Sequence, residues 1–158
     1  MFREMRRKER QLPIEITEKI LSCCTNGVLS VIGDDGYPYG VPVSYAYADG
    51  KIFFHCARDG HKVDAIKNNS KVSFTVIAQD DVIPQEYGTD FASVVAFGRA
   101  SFIEDSEEML QSHIHIIEKY SKDYYDGGIE YFNKAKSAMR MVKIDVEHLT
   151  GKGKGVRV

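Results

Sequence analysis

Tryptophan is missing from this chain, cysteine occurs only three times, and no apolar run comes near the roughly 18 residues that a membrane-crossing helix requires. The last absence argues against a membrane-spanning helix. Neither sign of charge prevails, because 21 Lys and Arg face 23 Asp and Glu for a net charge of -2. No whole-molecule field is therefore present to hold nucleic acid or an anionic membrane, and neither partner is expected. Cys23, Cys24 and Cys56 are odd in number and form no C-x-x-C pair, which excludes a zinc ribbon or a redox dithiol of that type. They read as free, mostly buried thiols in a reducing cytosol. The opening "MFREMRRKERQ" is charged and has no apolar stretch after it, so a cytoplasmic protein without a leader is expected.

A length of 158 residues suits one domain with a real core. Residues 1–13 are mixed in charge, end at Pro13, and read as an arm that is solvated or clasps a second subunit. Thr17 caps a predicted helix, "TEKILSCCTNG", with Gly27 as its left-handed stop. "VLSVIG", "YPYGVPVSYAYA" and "KIFFHCA" follow as three antiparallel strands, separated by the hairpin signals Asp34-Asp35-Gly36 and Asp49-Gly50. A short helix over His61–Asn69 precedes the strand "KVSFTVIA", and a second long strand covers Ser93–Ile103. The polar segment 79–90 between these two strands reads as a long loop.

Asp105 or Ser106 caps a helix along Met109, Leu110, His113, Ile114 and Ile117, and a shorter one lies near Ile129–Ala135. His113 and His115 point to different faces of their helix, one for packing and one for the surface, so no metal site is expected there. The last strand, "MRMVKIDVEHL", changes phase between Met141 and Val142, which predicts a bulge. Residues 150–158 are rich in Gly and Lys and read as a flexible tail. Six strands with helices between them, and no regular βαβ alternation, predict a mainly β fold. The specific form is a six-stranded antiparallel barrel with flanking helices.

The stretch "FFHCARDGHK", Phe53 to Lys62, carries the most chemistry. In a strand Ile52, Phe54 and Cys56 share the core face, which puts His55 on the other side of the wall beside Phe53. His55 is then either a hydrogen-bonded surface or interface histidine, or part of a site. The following turn favours a site: Gly60 lets backbone N–H groups approach a ligand, and His61 and Lys62 open a helix whose first N–H groups are unpaired. That arrangement binds phosphate, and Arg58 adds a guanidinium suited to the same ligand.

These residues resemble the FMN-binding split-barrel flavoproteins of the pyridoxamine 5'-phosphate oxidase superfamily, in the branch related to nitroimidazole-resistance proteins. The likeness runs through "MRRKERQ", the block from Gly36 to Phe74, "SVVAFGRA" at 93–100 and "TGK" at 150–152. It implies a split barrel with Greek-key character and a homodimer holding two FMN molecules in the subunit interface. Val41, Pro42, Val43, Ser44, Tyr45 and Ala46 match the strand along the isoalloxazine. His55 and Cys56 match the cofactor-contacting pair on the next strand, His61 and Lys62 the phosphate-binding pair, and Ser93 a polar position at the flavin edge. The oxidase completes its own site with a tryptophan and an arginine near the C-terminus. A chain without any tryptophan is therefore not expected to oxidise vitamin B6.

The resemblance implies an FMN-dependent oxidoreductase that reduces a small acceptor, such as a nitroaromatic, with His55 as the proton or hydrogen-bond donor. The alternative is a flavin- or haem-binding protein of the same fold without turnover.

Overall fold

The computed structural model describes residues 1–157. Seven strands form one antiparallel sheet: β1 (Gly27–Ile32), β2 (Pro38–Val43), β3 (Ala46–Ala48), β4 (Lys51–Ala57), β5 (Lys71–Ile83), β6 (Gly88–Phe102) and β7 (Met139–Lys154). Their order is β2-β1-β5-β6-β7-β4-β3. Four α-helices flank the sheet: α1 (Ile14–Cys23), α2 (His61–Asn68), α3 (Ser106–Tyr120) and α4 (Tyr125–Ala135).

The expected six strands are seven because "YPYGVPVSYAYA" breaks at Ser44 and Tyr45. Its first half pairs with β1, Val41 opposite Leu29, and its second half pairs with β4, Ala46 opposite Phe53. Strands β2 and β3 therefore stand at opposite ends of the sheet, yet only two residues join them. The sheet has to curl until its ends meet, which is the barrel. Both predicted hairpins form, and Asp49 and Gly50 take φ of 50° and 72°, the positive values of a tight two-residue turn.

Other expectations are corrected. Residues 79–90 are mostly not a loop: β5 and β6 extend past the barrel as a paired hairpin, Asp81 opposite Asp90, turned by Pro84–Glu86. Their polarity marks a two-stranded ribbon exposed to water. Helix α1 starts at Ile14, and Thr17 lies inside it, buried, with its hydroxyl donating to the Pro13 carbonyl at 2.9 Å. The helix ends at Cys24 in extended backbone, so Gly27 opens a strand and is no helix stop. Residues 150–154 complete β7, Lys152 lying opposite Ser93, while Arg157 beyond them pairs with Asp81 and Asp90. The arm docks beside this strand through Gln11 and Lys152 and a 2.9 Å bond from Leu12 N–H to the Gly151 carbonyl.

The phase change in β7 has another cause than a bulge. Val142 and Ile144 face the barrel interior with Leu29, Phe54, Phe74 and Val94. Met141 faces outward, where Phe53 and Ile103 join it under Met109 and Ile116 of α3. Both faces of the strand are buried there, so apolar residues fall on both. The register shift comes later, where Gly98 is opposite Val146 and Phe97 opposite His148.

Candidate flavin slot between β2 and β4

The break at Ser44 and Tyr45 leaves an opening in the barrel wall. β4 pairs with β3 only over Lys51–Phe53, so the remainder of that edge, Phe54 to Ala57, is unpaired. β2 likewise pairs only with β1. Two free edges thus diverge from the contact of Ala46 with Phe53. At the wide end His61 stacks on Tyr39, ring centroids 4.3 Å apart and planes 16° from parallel. Val41 and Val43 from one edge and Cys56 from the other are half-buried along this slot. Ser44 is exposed, and Tyr45 and Ala46 are buried at its apex.

Buried hydrogen bonds hold the apex. The Tyr45 hydroxyl donates to the Leu21 carbonyl at 2.5 Å, and the Tyr45 N–H donates to the Tyr120 hydroxyl at 2.9 Å. The Tyr120 hydroxyl in turn faces the carbonyls of Tyr45 and Thr25. Lys119 lies with Nζ 3.8 Å from the Tyr45 ring centroid, and this buried amine has no hydrogen-bond partner. Burial pulls its pKa down to about 8 and pushes that of Tyr45 up.

At the mouth, Gly60 has φ of 136°, a conformation that side chains resist, and a Cβ there would meet nothing within 4 Å. Its carbonyl accepts from Val63 and Asp64 at 2.9 and 3.1 Å, and no side chain caps α2. Among the described residues, the N–H groups of His61 and Lys62 have no acceptor, and the Lys62 ammonium pairs with no carboxylate. Free N–H groups at a helix start, a lysine and an unobstructed glycine make a donor set that fits a phosphate.

Arg58 is engaged elsewhere: its Nη1 donates to the Ser137 carbonyl at 3.0 Å. Arg140, which the sequence reading missed, is held closer to the slot. Its Nε donates to the Arg58 carbonyl at 2.7 Å, and its guanidinium lies 5.0 Å from the Phe102 ring centroid. Burial pushes the Cys56 thiol pKa up, while Lys62 and Arg140 beside it pull the other way. A strand arginine opposite Cys56 has no local pattern to announce it.

His55 lies on the outer face of β4, exposed, with its ring 6.1 Å from that of His113. Surrounding protein holds its pKa below the ordinary imidazole value. Ser93 is not near this group within one chain. It lies opposite Lys152, whereas His55 lies opposite Met141, eleven residues away along β7 or roughly 36 Å of strand at about 3.3 Å per residue.

The sequence profile of the pyridoxamine 5'-phosphate oxidase family matches residues 15–153, so the chain belongs to that family. No curated protein sequence matches it. Among solved structures, it is similar to a candidate 5-nitroimidazole antibiotic resistance protein from Bacteroides thetaiotaomicron. The identity is 23%, over 90% of this chain and 85% of that one, with a TM-score of 0.74. A FAD-binding protein from Mesorhizobium loti is 24% identical over 92% of this chain and 98% of that one, TM-score 0.70. A FAD- and haem-binding protein from Mycobacterium smegmatis is 14% identical over 93% of this chain and 74% of that one, TM-score 0.72. At these identities the likeness carries the fold, a split barrel that flavin-binding proteins also use. Among the described residues, no helix is long and apolar enough to cross a membrane.

Proposed function

We propose that this protein is an FMN-dependent oxidoreductase that reduces a small acceptor, with nitroaromatic compounds as the leading class. The observation that carries the proposal is the uncapped start of α2 at the mouth of the slot: Gly60, the free N–H groups of His61 and Lys62, and the Lys62 ammonium. The family supplies the flavin, and this donor set supplies a place for its phosphate. FMN brings the electron-transfer chemistry, and the protein's part is to bind, orient and protonate.

Val41 to Ala46 form one wall of the slot and Cys56 the other, so a flat ring system lies between two backbones. The Tyr120 and Leu21 bonds keep that wall from moving. We assign His55, on the outer face of β4, a hydrogen bond or proton to an acceptor that meets the flavin from that side.

We further propose a homodimer. Ser93 shares the outer face of the sheet with Ile77, its partner across the ladder, and with Phe97, which are 67% and 40% exposed. An apolar face of this kind suits a second copy. Docked there, that copy brings Ser93 of one chain to the slot of the other, which a single chain does not achieve. The free state of Cys23, Cys24 and Cys56 accords with a cytoplasmic setting.

The test is the absorbance spectrum of the purified protein, followed by anaerobic addition of NADH or NADPH. A two-band flavin spectrum that bleaches supports the enzyme, and one that persists with every donor supports a carrier. A Soret band points to haem. A colourless protein that takes up no added FMN overturns the reading.

A further inference from the structure

Helix α1 ends between two neighbouring cysteines. Cys23 is its last residue, and Cys24 is in extended backbone with φ of -69° and ψ of 141°. Along an unbroken helix or strand the side chains of neighbours diverge. Here the change of backbone lets both residues line one cavity of about 200 Å³, with Ile20, Ala78 and Lys19 as its other walls. Both thiols are free, Cys23 exposed and Cys24 half-buried against the core. No carboxylate or histidine lines the cavity. The unpartnered Lys119 amine is near enough to Cys24 to draw its thiol pKa down, against the larger effect of burial.

We propose that Cys23 and Cys24 form a dithiol site that chelates a monosubstituted trivalent arsenical, R–As(OH)2, with its organic group in the cavity. Spacing, ligand count and charge each select this class. Consecutive Cα atoms are about 3.8 Å apart, below the roughly 4.4–6.8 Å that an ordinary disulfide spans. The pair therefore resists direct oxidation, whereas an arsenic atom set between the sulfurs bridges a wider gap. Zinc takes four ligands, and among the described residues no three His, Cys, Asp or Glu gather to hold a metal. Two thiols do match the two exchangeable positions of such an arsenical. Two As–O bonds break and two As–S bonds form, and each thiol proton leaves with a hydroxyl as water. Arsenic stays trivalent, so no oxidant or reductant is needed. The product is uncharged, which suits a cysteine whose thiolate burial disfavours. A cavity of about 150 Å³ takes benzene, so this one admits a phenyl group or a smaller substituent. The third thiol, Cys56 on β4, does not line the cavity, and the inference stands apart from the flavin reading.

The probe is phenylarsine oxide, which hydrates to such a compound, and the control is diphenylarsinous acid, which has a single exchangeable position. Each is titrated into the reduced full chain in excess glutathione and followed by mass spectrometry. Phenylarsine oxide is expected to give one adduct per chain that resists glutathione, yields to 2,3-dimercaptopropanol and raises the unfolding temperature. Glutathione is expected to strip the diphenyl compound. Cys23→Ala and Cys24→Ala are each expected to lose at least about 100-fold in affinity, and Cys56→Ala to lose none. No adduct, an unchanged unfolding temperature, an equally resistant diphenyl adduct, full binding to either single variant, or loss in Cys56→Ala overturns the proposal. Should Cys24→Ala fail to fold, alkylation of the natural chain by iodoacetamide decides. The arsenical is expected to protect Cys23 and Cys24 together and to leave Cys56 at its original rate, and protection of one of the pair alone overturns the proposal as well.

Discussion

The hydroxyl of Tyr120 grips both polar groups of one residue, accepting from the Tyr45 N–H at 2.9 Å and lying 2.8 Å from the Tyr45 carbonyl. Those residues are 75 apart in the chain, and the contact is where α3 fixes the point at which one strand becomes two. Tyr120→Phe leaves the ring in place and strands a buried N–H. It is expected to cost about 1–3 kcal/mol in urea unfolding, the usual penalty for an unsatisfied buried group. FMN affinity is expected to fall with it, since Tyr45 is part of the proposed flavin wall. Unchanged stability would show the grip to be incidental.

Lys62→Ala removes the free ammonium at the mouth of the slot. A charge-assisted bond contributes about 1.5–3 kcal/mol, so FMN affinity is expected to drop about 10- to 100-fold. Riboflavin, which lacks the phosphate, is expected to bind both forms alike. Fluorescence titration with the two flavins checks this, and an equal loss for both would place the phosphate elsewhere.

His55→Ala is expected to retain FMN and to lose most acceptor reduction, about 100-fold or more for a general acid. Anaerobic reduction of the flavin by its donor should proceed at the natural rate. Turnover unchanged with flavin bound would leave His55 without a role in the chemistry.

Lys119 gives stability a pH signature. Its folded pKa of about 8 lies below the roughly 10.4 of a free lysine, so between these values the unfolded chain binds more protons. Stability from this residue therefore rises with pH across that window, and the penalty is complete below about pH 8. Lys119→Met is expected to unfold at higher temperature than the natural protein at pH 7, with the gap narrowing by pH 10. A constant gap in calorimetry would mean that the amine is not what the burial penalises.

Much of the fold was legible in local pattern. Asp34-Asp35-Gly36 and Asp49-Gly50 announced hairpins because only a few residue types accept positive φ, and both turns form. Asp105 announced α3 because its carboxylate is at the right distance to accept from Glu107 and Glu108. The break at Ser44 and Tyr45 was not legible: nothing in "PVSYAY" signals a bend, and its cause is a tyrosine on a distant helix. Residues 79–90 misled because a solvated ribbon has a loop's polarity. In the site, the turn from Gly60 to Lys62 stood out by composition alone. Arg140 and His113 did not, because only the register of β7 and the packing of α3 on β4 bring them near Cys56 and His55. Ser93 was singled out by resemblance, and one chain does not bring it to the slot.

The free edge of β2 has a property that bears on whether the slot survives. Pro38 and Pro42 lie four apart in this strand, so their nitrogens point the same way, and the ladder to β1 tolerates them only if that way is outward. Neither nitrogen carries a hydrogen. The facing edge of β4 therefore meets a strand missing two of the donors needed to zip the wall shut, and a stray strand from another molecule meets the same deficiency. The opening that we assign to the flavin is kept from sealing by two residues that touch no ligand. Replacing them with donors would threaten the gap itself before it changed anything the gap contains.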